Sequence, residues 1–480
     1  MKKYINILLR SSFIITLFVL VFSCKKLDEQ PISSVTPANF GNSALQVETA
    51  YAASLNYLWD YWAGYGYAYA AFRNDDQLDG GDLNIGLDNG DDLWRVHYSA
   101  LLNINATLAS IKAGNIKGES QETIDILTAE GKFLQAHNYF MLVRMFGGVP
   151  LITEETPDPI LNPMPRASIA DVYQLIVSDL TFAASKLPVS WSGEPGKPTS
   201  GAAKGILAKV YLTMATFPLN ETSNYQKAAD IASEVIESGV YSLVPNVEDV
   251  FKLENKYGPE MMWSYNSTYD DIATDPEIWT TANYLDGGWG DAAMDTTFER
   301  RWPAQPRKDA YLFTDWNGVH YTDFPEQTPF CKKFFYYISA DDFNGYSSTM
   351  NWPIIRFADV LLIYAEAANM ANGGPTAGAV DAINKVIDRA NGYVDNPLHP
   401  KMKTSMTKGA FDDAVIQERN WELVYENSDR WFDICRKRIL DKVTRPEYLV
   451  NFSVNDYLFP IPEIDLNLNK LLVQNPGYGD

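Results

Sequence analysis

Apolar residues recur at helical spacing in two blocks of the chain. This spacing predicts helices over residues 93–113, 121–146, 169–187, 201–217 and 225–238 in the first block, and over 355–371, 376–391 and 410–428 in the second. The helix over 121–146 has apolar residues on two faces, which indicates burial on both, and Gly147-Gly148 ends it. Successive helices joined by short turns are typical of a tetratricopeptide-like helical repeat. The literal consensus of that repeat is absent, so an irregular helical domain is the alternative.

Two other regions, residues 57–92 and 245–352, show no helical period and are rich in glycine, asparagine, aspartate and aromatic residues. Insertions of this length in a compact domain usually have a function. We therefore predict a mainly α fold over residues 39–480. Its helical scaffold lies mainly in 93–240 and 353–440, and the two aromatic-rich regions form a loop-rich, ligand-facing side.

The N-terminus has the pattern of an export signal. Lys2 and Lys3 precede an apolar run over residues 13–22, about 10 residues long, which is the length of a signal-peptide core and about half of a membrane span. The run ends in Ser23-Cys24, and a small residue directly before a cysteine resembles the bacterial lipobox. We expect cleavage after residue 23, lipid on Cys24 and a polar tether over 24–38. An ordinary signal peptide with a chance cysteine is the alternative.

The chain is acidic, with 480 residues and a formal net charge of −22. Residues 1–23 carry three positive charges and no negative one, so their removal brings −22 to −25. Such a body repels phosphate backbones, which argues against a nucleic-acid partner. Beyond Cys24 the cysteines are Cys331 and Cys435, which form either one disulfide or two buried thiols.

Aromatic side chains are concentrated in the first loop-rich region, where residues 64–70 alternate Gly or Ala with Tyr. An extended chain would project Tyr65 and Tyr67 onto one face, which suits the apolar face of a pyranose ring. The flanking polar groups can hydrogen-bond sugar hydroxyls, which must be paired when they are desolvated. The alternative is that the rings pack the loop against the helices. The candidate ligand-binding residues of this region are Tyr61, Trp62, Tyr65, Tyr67, Arg73, Asn74 and Asp75.

Several ordered segments resemble the SusD/RagB family of bacterial surface lipoproteins. They are residues 130–151, 203–212, 353–367, 418–433 and the C-terminal segments 458–462 and 474–478. The resemblance implies a fold with four tetratricopeptide-like units, placed at the outer membrane and exposed at the cell surface. It implies a SusC-like, TonB-dependent outer-membrane barrel as partner, and capture of oligosaccharides, with peptides as the ligand of some relatives. The ligand surface of the family often includes the middle aromatic region, which adds Trp279, Trp289 and Trp302 to the candidates.

Other constellations favour structure over catalysis. The charged pairs Arg356/Asp359, Glu418/Arg419 and Arg430/Asp433 lie among apolar residues and are predicted to be buried ion pairs that tie helices together. The four histidines lack metal-ligand spacing. The acidic, glycine-rich stretch 75–92 is a candidate calcium loop, but it does not fit the EF-hand pattern, and a solvated loop is the preferred interpretation.

The sequence therefore predicts a binding protein with no metal and no cofactor, rather than an enzyme. Its predicted role is to capture an oligosaccharide and deliver it to the barrel. The alternatives are peptide capture, a helical-repeat interaction scaffold and, because acidic residues are abundant, a glycoside hydrolase with paired carboxylates.

Overall fold

The computed structural model describes residues 42–62, 91–156, 161–266, 293–316, 318–333, 351–427, 429–442 and 454–479. At residues 59–61, 316 and 441 the description covers the backbone alone. The predicted signal peptide, Cys24 and the tether lie outside these ranges.

The described part of the chain is mainly helical, which confirms the predicted fold class. Its helices before the first strand are α1 (Ala44–Trp62), α2 (Asp91–Lys112), α3 (Gln121–Phe146), α4 (Ile169–Lys186), α5 (Ser200–Met214) and α6 (Asn224–Glu237). The later helices are α7 (Thr296–Arg301), α8 (Pro306–Tyr311), α9 (Phe357–Asn372), α10 (Ala377–Ala390), α11 (Lys408–Glu422), α12 (Asp429–Lys437) and α13 (Glu463–Leu468).

Consecutive helices pack on one another in chain order. Helix α1 contacts α2, α2 contacts α3, and the series continues through α4 and α5 to α6. Helix α9 then packs against α6 and also contacts α10 and α11, which joins the second helical block to the first. This arrangement confirms the predicted helical scaffold, in which each layer buries the apolar face of its neighbour.

Local signals explain where the helices begin and end. Helix α3 has the predicted bounds: the side chain of Ser120 accepts a hydrogen bond from the Thr123 amide at its start. At its end Gly147 has a φ of +76°, a conformation that glycine adopts without steric cost.

Helix α1 was not predicted, because its aromatic C-terminal half had been assigned to a loop from residue 57. The helix continues to Trp62 and buries Val47, Tyr51, Leu58 and Trp62, a stripe with spacings of four and seven residues. Helix α12 was likewise missed, and its nine residues are too short for periodicity to identify it.

A two-stranded antiparallel sheet connects the two helical blocks. Strand β1 (Met261–Tyr265) pairs with β6 (Trp352–Arg356), with Tyr265 opposite Trp352. Strand β6 runs directly into α9. The remaining described strands, β2 (Leu312–Phe313), β3 (Asp315–Trp316), β4 (Val319–His320) and β5 (Phe330–Cys331), pair as β2 with β5 and β3 with β4. Some of these short strands contribute to a small second core of Ala293, Phe313, Tyr321, Phe324 and Phe330.

None of the described helices combines the length and apolar character needed to cross a membrane.

Buried ion pairs tie the second block together, as predicted, but their partners differ from the prediction. Arg356 pairs with Glu260, Glu422 and Glu426 at 2.5, 3.1 and 2.7 Å. Its predicted partner Asp359 lies on the following helix and binds Arg419 and Lys209 instead. The prediction paired charges that are close in sequence, whereas Arg356 precedes the first turn of α9 and faces a different set of elements.

The pair Glu418/Arg419 is also rearranged, and Asp433 of the third predicted pair binds Arg419 and Arg436. Glu418 binds Arg307, while Arg419 reaches Asp433 at 2.7 Å as well as Asp359. Adjacent residues on a helix point in different directions, so each finds a partner on another element. The two remaining cysteines form no disulfide with each other; Cys331 is buried and Cys435 is partly buried.

Candidate ligand-binding site

Two of the predicted ligand-binding rings lie in the core, which corrects their assignment. Trp62 is 0% exposed, and its Nε1 donates a hydrogen bond to Nε2 of His97 at 3.2 Å. Trp302 is 2% exposed and stacks on Trp421 with ring centroids 6.4 Å apart. Both rings are covered by neighbouring helices, so each has the packing role that was the alternative for these aromatic residues.

The other predicted ligand-binding residues remain predictions. Tyr61 lies near the end of α1, where only the backbone is described. Seven candidates lie outside the described residues: Tyr65, Tyr67, Arg73, Asn74, Asp75, Trp279 and Trp289. Most of the acidic stretch 75–92 also lies outside them.

Neighbouring residues of α3 hold one point in each aromatic-rich region, Trp62 in the first and Tyr265 in the second. On one side Trp62, the last residue of α1, bonds to His97, whose Nδ1 lies 2.8 Å from Oδ1 of Asn138. On the other side Nε2 of His137 lies 2.5 Å from the hydroxyl oxygen of Tyr265, the last residue of β1. Helix α3 therefore fixes the last residue of α1 through His97 and the last residue of β1 directly.

The pairing of β1 with β6 also fixes where the chain returns to the scaffold after the middle region. Because Tyr265 pairs with Trp352, the chain leaves β1 at Asn266 and enters β6 at Asn351 at the same end of the sheet. The first region likewise leaves α1 at Trp62 and returns to α2 at Asp91, and α1 packs along α2 and touches β1.

The two histidines at these positions are neutral hydrogen-bonding groups. Burial lowers the pKa of His97 to about 4, and burial also lowers the pKa of His137 well below its ordinary value. Since Nε2 of His97 accepts from Trp62, its proton resides on Nδ1 and is donated to Asn138. Within the described residues no His, Cys, Asp or Glu group is arranged to hold a metal ion.

A cleft of about 260 Å³ opens beside β1 and combines aromatic rings with polar groups. One wall is the loop between α4 and α5, with Trp191, Glu194 and Lys197. The other wall holds Tyr241 and the segment from Lys256 to Ser264, which includes Tyr257 and Trp263. Trp191 and Tyr241 are partly exposed, and Tyr257 is 38% exposed.

Hydrogen bonds fix the shape of this cleft. Asn266 donates from Nδ2 to the carbonyl oxygen of Gly196 at 3.0 Å, which joins the end of β1 to the interhelix loop. The Thr199 and Tyr241 hydroxyls lie 2.7 Å apart, and Trp191 donates to the carbonyl of Pro198 at 2.9 Å. Gly196 has a φ of +98°, and a Cβ there would meet the side chain of Asn266 at 2.5 Å, so the close approach requires glycine.

The cleft was missed in the sequence, although a signal exists. Trp191 lies in Ser-Trp-Ser-Gly-Glu-Pro-Gly, a turn-rich connection between two predicted helices. A large ring in such a connection is a candidate surface contact. Its companions, Tyr241 and Tyr257, come from segments about 50 to 65 residues away, and only folding brings the three together.

Comparison with known proteins places this arrangement in a family. A family model described as the SusD family matches residues 247–478, and one described as starch-binding associating with outer membrane matches residues 47–212. SusD-like protein P2 of Formosa agariphila is 28% identical, with 100% of each chain covered. The chain belongs to the SusD/RagB family.

Solved SusD structures share the fold. A SusD homologue from Bacteroides thetaiotaomicron superposes with a TM-score of 0.79 at 22% identity, covering 92% of this chain and 98% of that one. Surface glycan-binding protein A from the same species, solved in complex with laminarihexaose, has a TM-score of 0.72 at 20% identity, covering 90% and 99%.

The segments that carry the SusD/RagB resemblance form the scaffold of the structure. Residues 130–151 build most of α3 and its exit turn, and 353–367 build β6 and the start of α9. The candidate sugar-contact residues lie outside these segments. The family is thus identified by segments of the helical scaffold, while the predicted ligand-binding rings come from the connections between them.

Proposed function

We propose that this protein captures oligosaccharides at the outer membrane and delivers them to a SusC-like, TonB-dependent barrel. The observation that carries the proposal is that two adjacent residues of α3, His137 and Asn138, hold Tyr265 and, through His97, Trp62, one residue from each aromatic-rich region. Rings contributed by two distant parts of the chain would then face one ligand. A structural neighbour that was solved with laminarihexaose supports a glycan as that ligand.

A set of buried carboxylates among the described residues serves the scaffold rather than hydrolysis. The most deeply buried of them, among them Glu260 and Glu422, bind arginine side chains within the scaffold. A glycosidase needs two carboxyl groups that face a bound sugar from opposite sides of the scissile bond. Carboxylates held in ion pairs inside the helical core have no access to a polysaccharide.

The anchor is part of the proposal. Lipid on Cys24 and a tether over residues 24–38 would hold the acidic body at the membrane while leaving it able to move over the barrel. In cells, Cys24→Ser should abolish labelling by a radioactive fatty acid and move the protein out of the membrane fraction. A Ser23→Thr variant, which keeps the cysteine, is the matched control. Continued labelling of Cys24→Ser would contradict lipidation at this position.

Glycan binding is tested directly with purified residues 25–480 and a panel of soluble oligosaccharides in calorimetric titrations. Trp279→Ala and Trp289→Ala should each weaken binding about tenfold without lowering the unfolding temperature, because each removes one ring from the proposed surface. Tyr393→Ala is the matched control, since it removes an exposed ring from the turn after α10.

Three results would change the assignment. Binding of peptides and of no glycan would replace the sugar with peptide capture. Release of reducing ends from a bound glycan would show a hydrolase. Failure of the membrane-extracted, tagged protein to copurify a TonB-dependent barrel would remove the delivery step and leave a surface binding protein.

A further inference from the structure

We propose that the cleft between Trp191 and Tyr257 is a second sugar-contact site, which extends the glycan surface and makes long oligosaccharides bind more tightly than short ones. The inference rests on the proposed glycan function and adds to it a place and a ligand length. The site lies wholly within described residues.

The rings of the cleft differ in exposure from the other tryptophans considered above. Trp62 and Trp302 are enclosed by helices, whereas Trp191 and Tyr241 are partly open and Tyr257 is 38% exposed. Partly exposed rings that line one cleft form an apolar patch, and such patches mark ligand-binding grooves more often than single exposed rings do. Such rings provide flat apolar faces on which the C–H face of a pyranose can stack.

Trp263 also lines the cleft but is only 2% exposed. Its ring packs edge-on against Phe133 and His137 of α3, with ring centroids 4.7 and 4.9 Å apart. Trp263 therefore supports the site from behind, and contact with a ligand is left to the more exposed rings.

Charged groups at the rim suit the hydroxyls of a sugar. The Lys197 ammonium lies 4.7 Å from the centre of the Trp191 ring and binds both Glu48 and Glu194. These ion pairs hold a donor and an acceptor beside the ring. Sugar recognition needs this combination, because a stacked pyranose still has hydroxyls that must be paired.

The cleft is organised before any ligand arrives. Asn266 joins its two walls through Gly196, and the hydroxyls of Thr199 and Tyr241 bond across it. A preformed site loses less conformational entropy on binding, which favours a weakly interacting ligand such as a sugar.

Its position relates the cleft to the proposed surface of the loop-rich regions. Trp263 precedes Asn266, the last described residue before the stretch with Trp279 and Trp289, by three residues of extended chain, or about 10 Å. An oligosaccharide held by the rings that follow Asn266 would reach the cleft only if it had enough units, and a short one would not occupy both places.

The test compares chain lengths. Dissociation constants are measured for a disaccharide-to-octasaccharide series of the glycan that the panel identifies, with laminari-oligosaccharides as the first series. Wild-type affinity should rise with length beyond the shortest ligand that binds. Trp191→Ala and Tyr257→Ala should each weaken the longest ligand about 5- to 10-fold and the shortest less than 2-fold. Both variants should remain folded, with a loss of stability much smaller than that of Trp302→Ala.

Further variants show whether a change in affinity comes from the cleft. Trp191→Phe keeps a ring and should restore most of the affinity, and Tyr393→Ala should change neither ligand. Gly196→Ala should lower the affinity for the long ligand selectively. The new Cβ displaces Asn266 and breaks the hydrogen bond that joins the two walls of the cleft.

Each contrary result overturns the inference in a recognisable way. Unchanged affinity of Trp191→Ala and Tyr257→Ala for the longest ligand removes the cleft as a site while the glycan function stands. An equal loss of affinity for short and long ligands would also show that the cleft is not a separate contact for longer ligands. Absence of wild-type binding to every glycan overturns the proposed function, and the cleft proposal with it.

Discussion

Two buried charged regions of the scaffold shift the pKa values of their carboxyl groups in opposite directions. Around α9 and α11, Glu422 is fully buried, and burial alone would raise its pKa, but Arg389 and Arg356 outweigh burial and hold the pKa well below its ordinary range. Around α3, burial raises the pKa of Glu130 to about 7, with Lys197 opposing it only in part. Asp179, beside Lys132, is likewise raised to about 7 by burial.

The difference shows that burial alone does not decide the state of a carboxyl group. Arginines on β6, α8 and α10 surround Glu422, whereas Oε1 of Glu130 has no hydrogen-bond partner among the described residues. The paired region fixes the second helical block. The region around α3, which also contains neutral His97 and His137, holds Trp62 and Tyr265 and has charges that change near neutral pH.

The largest expected effect is in the paired region. Arg356→Met leaves Glu260, Glu422 and Glu426 buried without their common partner and should lower the free energy of unfolding by about 3–5 kcal/mol, measured by chemical denaturation. The matched control is Lys385→Met, which breaks an exposed pair with Asp381 and should cost less than about 1 kcal/mol. Similar losses in the two variants would refute the distinction between buried and exposed pairs.

The second effect concerns the ring that packs in the same region. Trp302→Ala empties a space against Trp421 and should lower the free energy of unfolding by about 3–4 kcal/mol. Trp191→Ala, at the open cleft, should cost much less and act on ligand affinity instead. If the stability losses were reversed, the division between core and cleft rings would be wrong.

The third effect is a pH dependence of the free energy of unfolding, and it comes from the carboxyl group of Glu130. The protonated form of Glu130 is favoured in the folded state, so its contribution to stability is full below pH 4.5 and is lost as pH rises to about 7. That shift corresponds to about 3 kcal/mol. Glu130→Gln should therefore gain about 3 kcal/mol relative to wild type between pH 4 and pH 8.

Denaturation of both proteins at the two pH values measures this difference, and any fixed cost of the amide cancels. Glu122→Gln, at the exposed start of α3, is the control and should show no such change. An equal stability difference at pH 4 and pH 8 would mean that Glu130 is paired in solution.

The smallest effect on stability is expected at the end of α1, next to α3. Trp62→Phe keeps a ring but removes the hydrogen bond to His97, which leaves a buried acceptor unpaired and should cost about 1–2 kcal/mol. Tyr57→Phe, which changes an exposed ring on the same helix, should have no measurable effect. Unchanged stability of Trp62→Phe would show that this bond does not hold the end of α1.

The sequence predicted the bounds of a helix well where the residues that begin and end it are next to it in the chain. Helix α3 has the predicted bounds because periodicity, the Ser120 cap and Gly147 all lie within it or next to it. Helix α1 was missed because its aromatic residues have no strong helical preference, and it is the packing on α2 that selects the helix. The same limit applies to the ion pairs, since Arg356 and Glu260 are 96 residues apart.

The amino-acid sequence by itself determined the helical class, the order of the helices, the acidic charge and the family resemblance, because each depends on local periodicity, composition or contiguous motifs. The tertiary structure alone decided which rings are accessible and which charges are paired. Trp62, Trp191 and Trp302 are alike as residues, but α2 covers the first, Trp421 the third, and an open cleft leaves the second partly exposed. Exposure and pKa depend on what distant segments bring to a side chain, and only the folded chain specifies that.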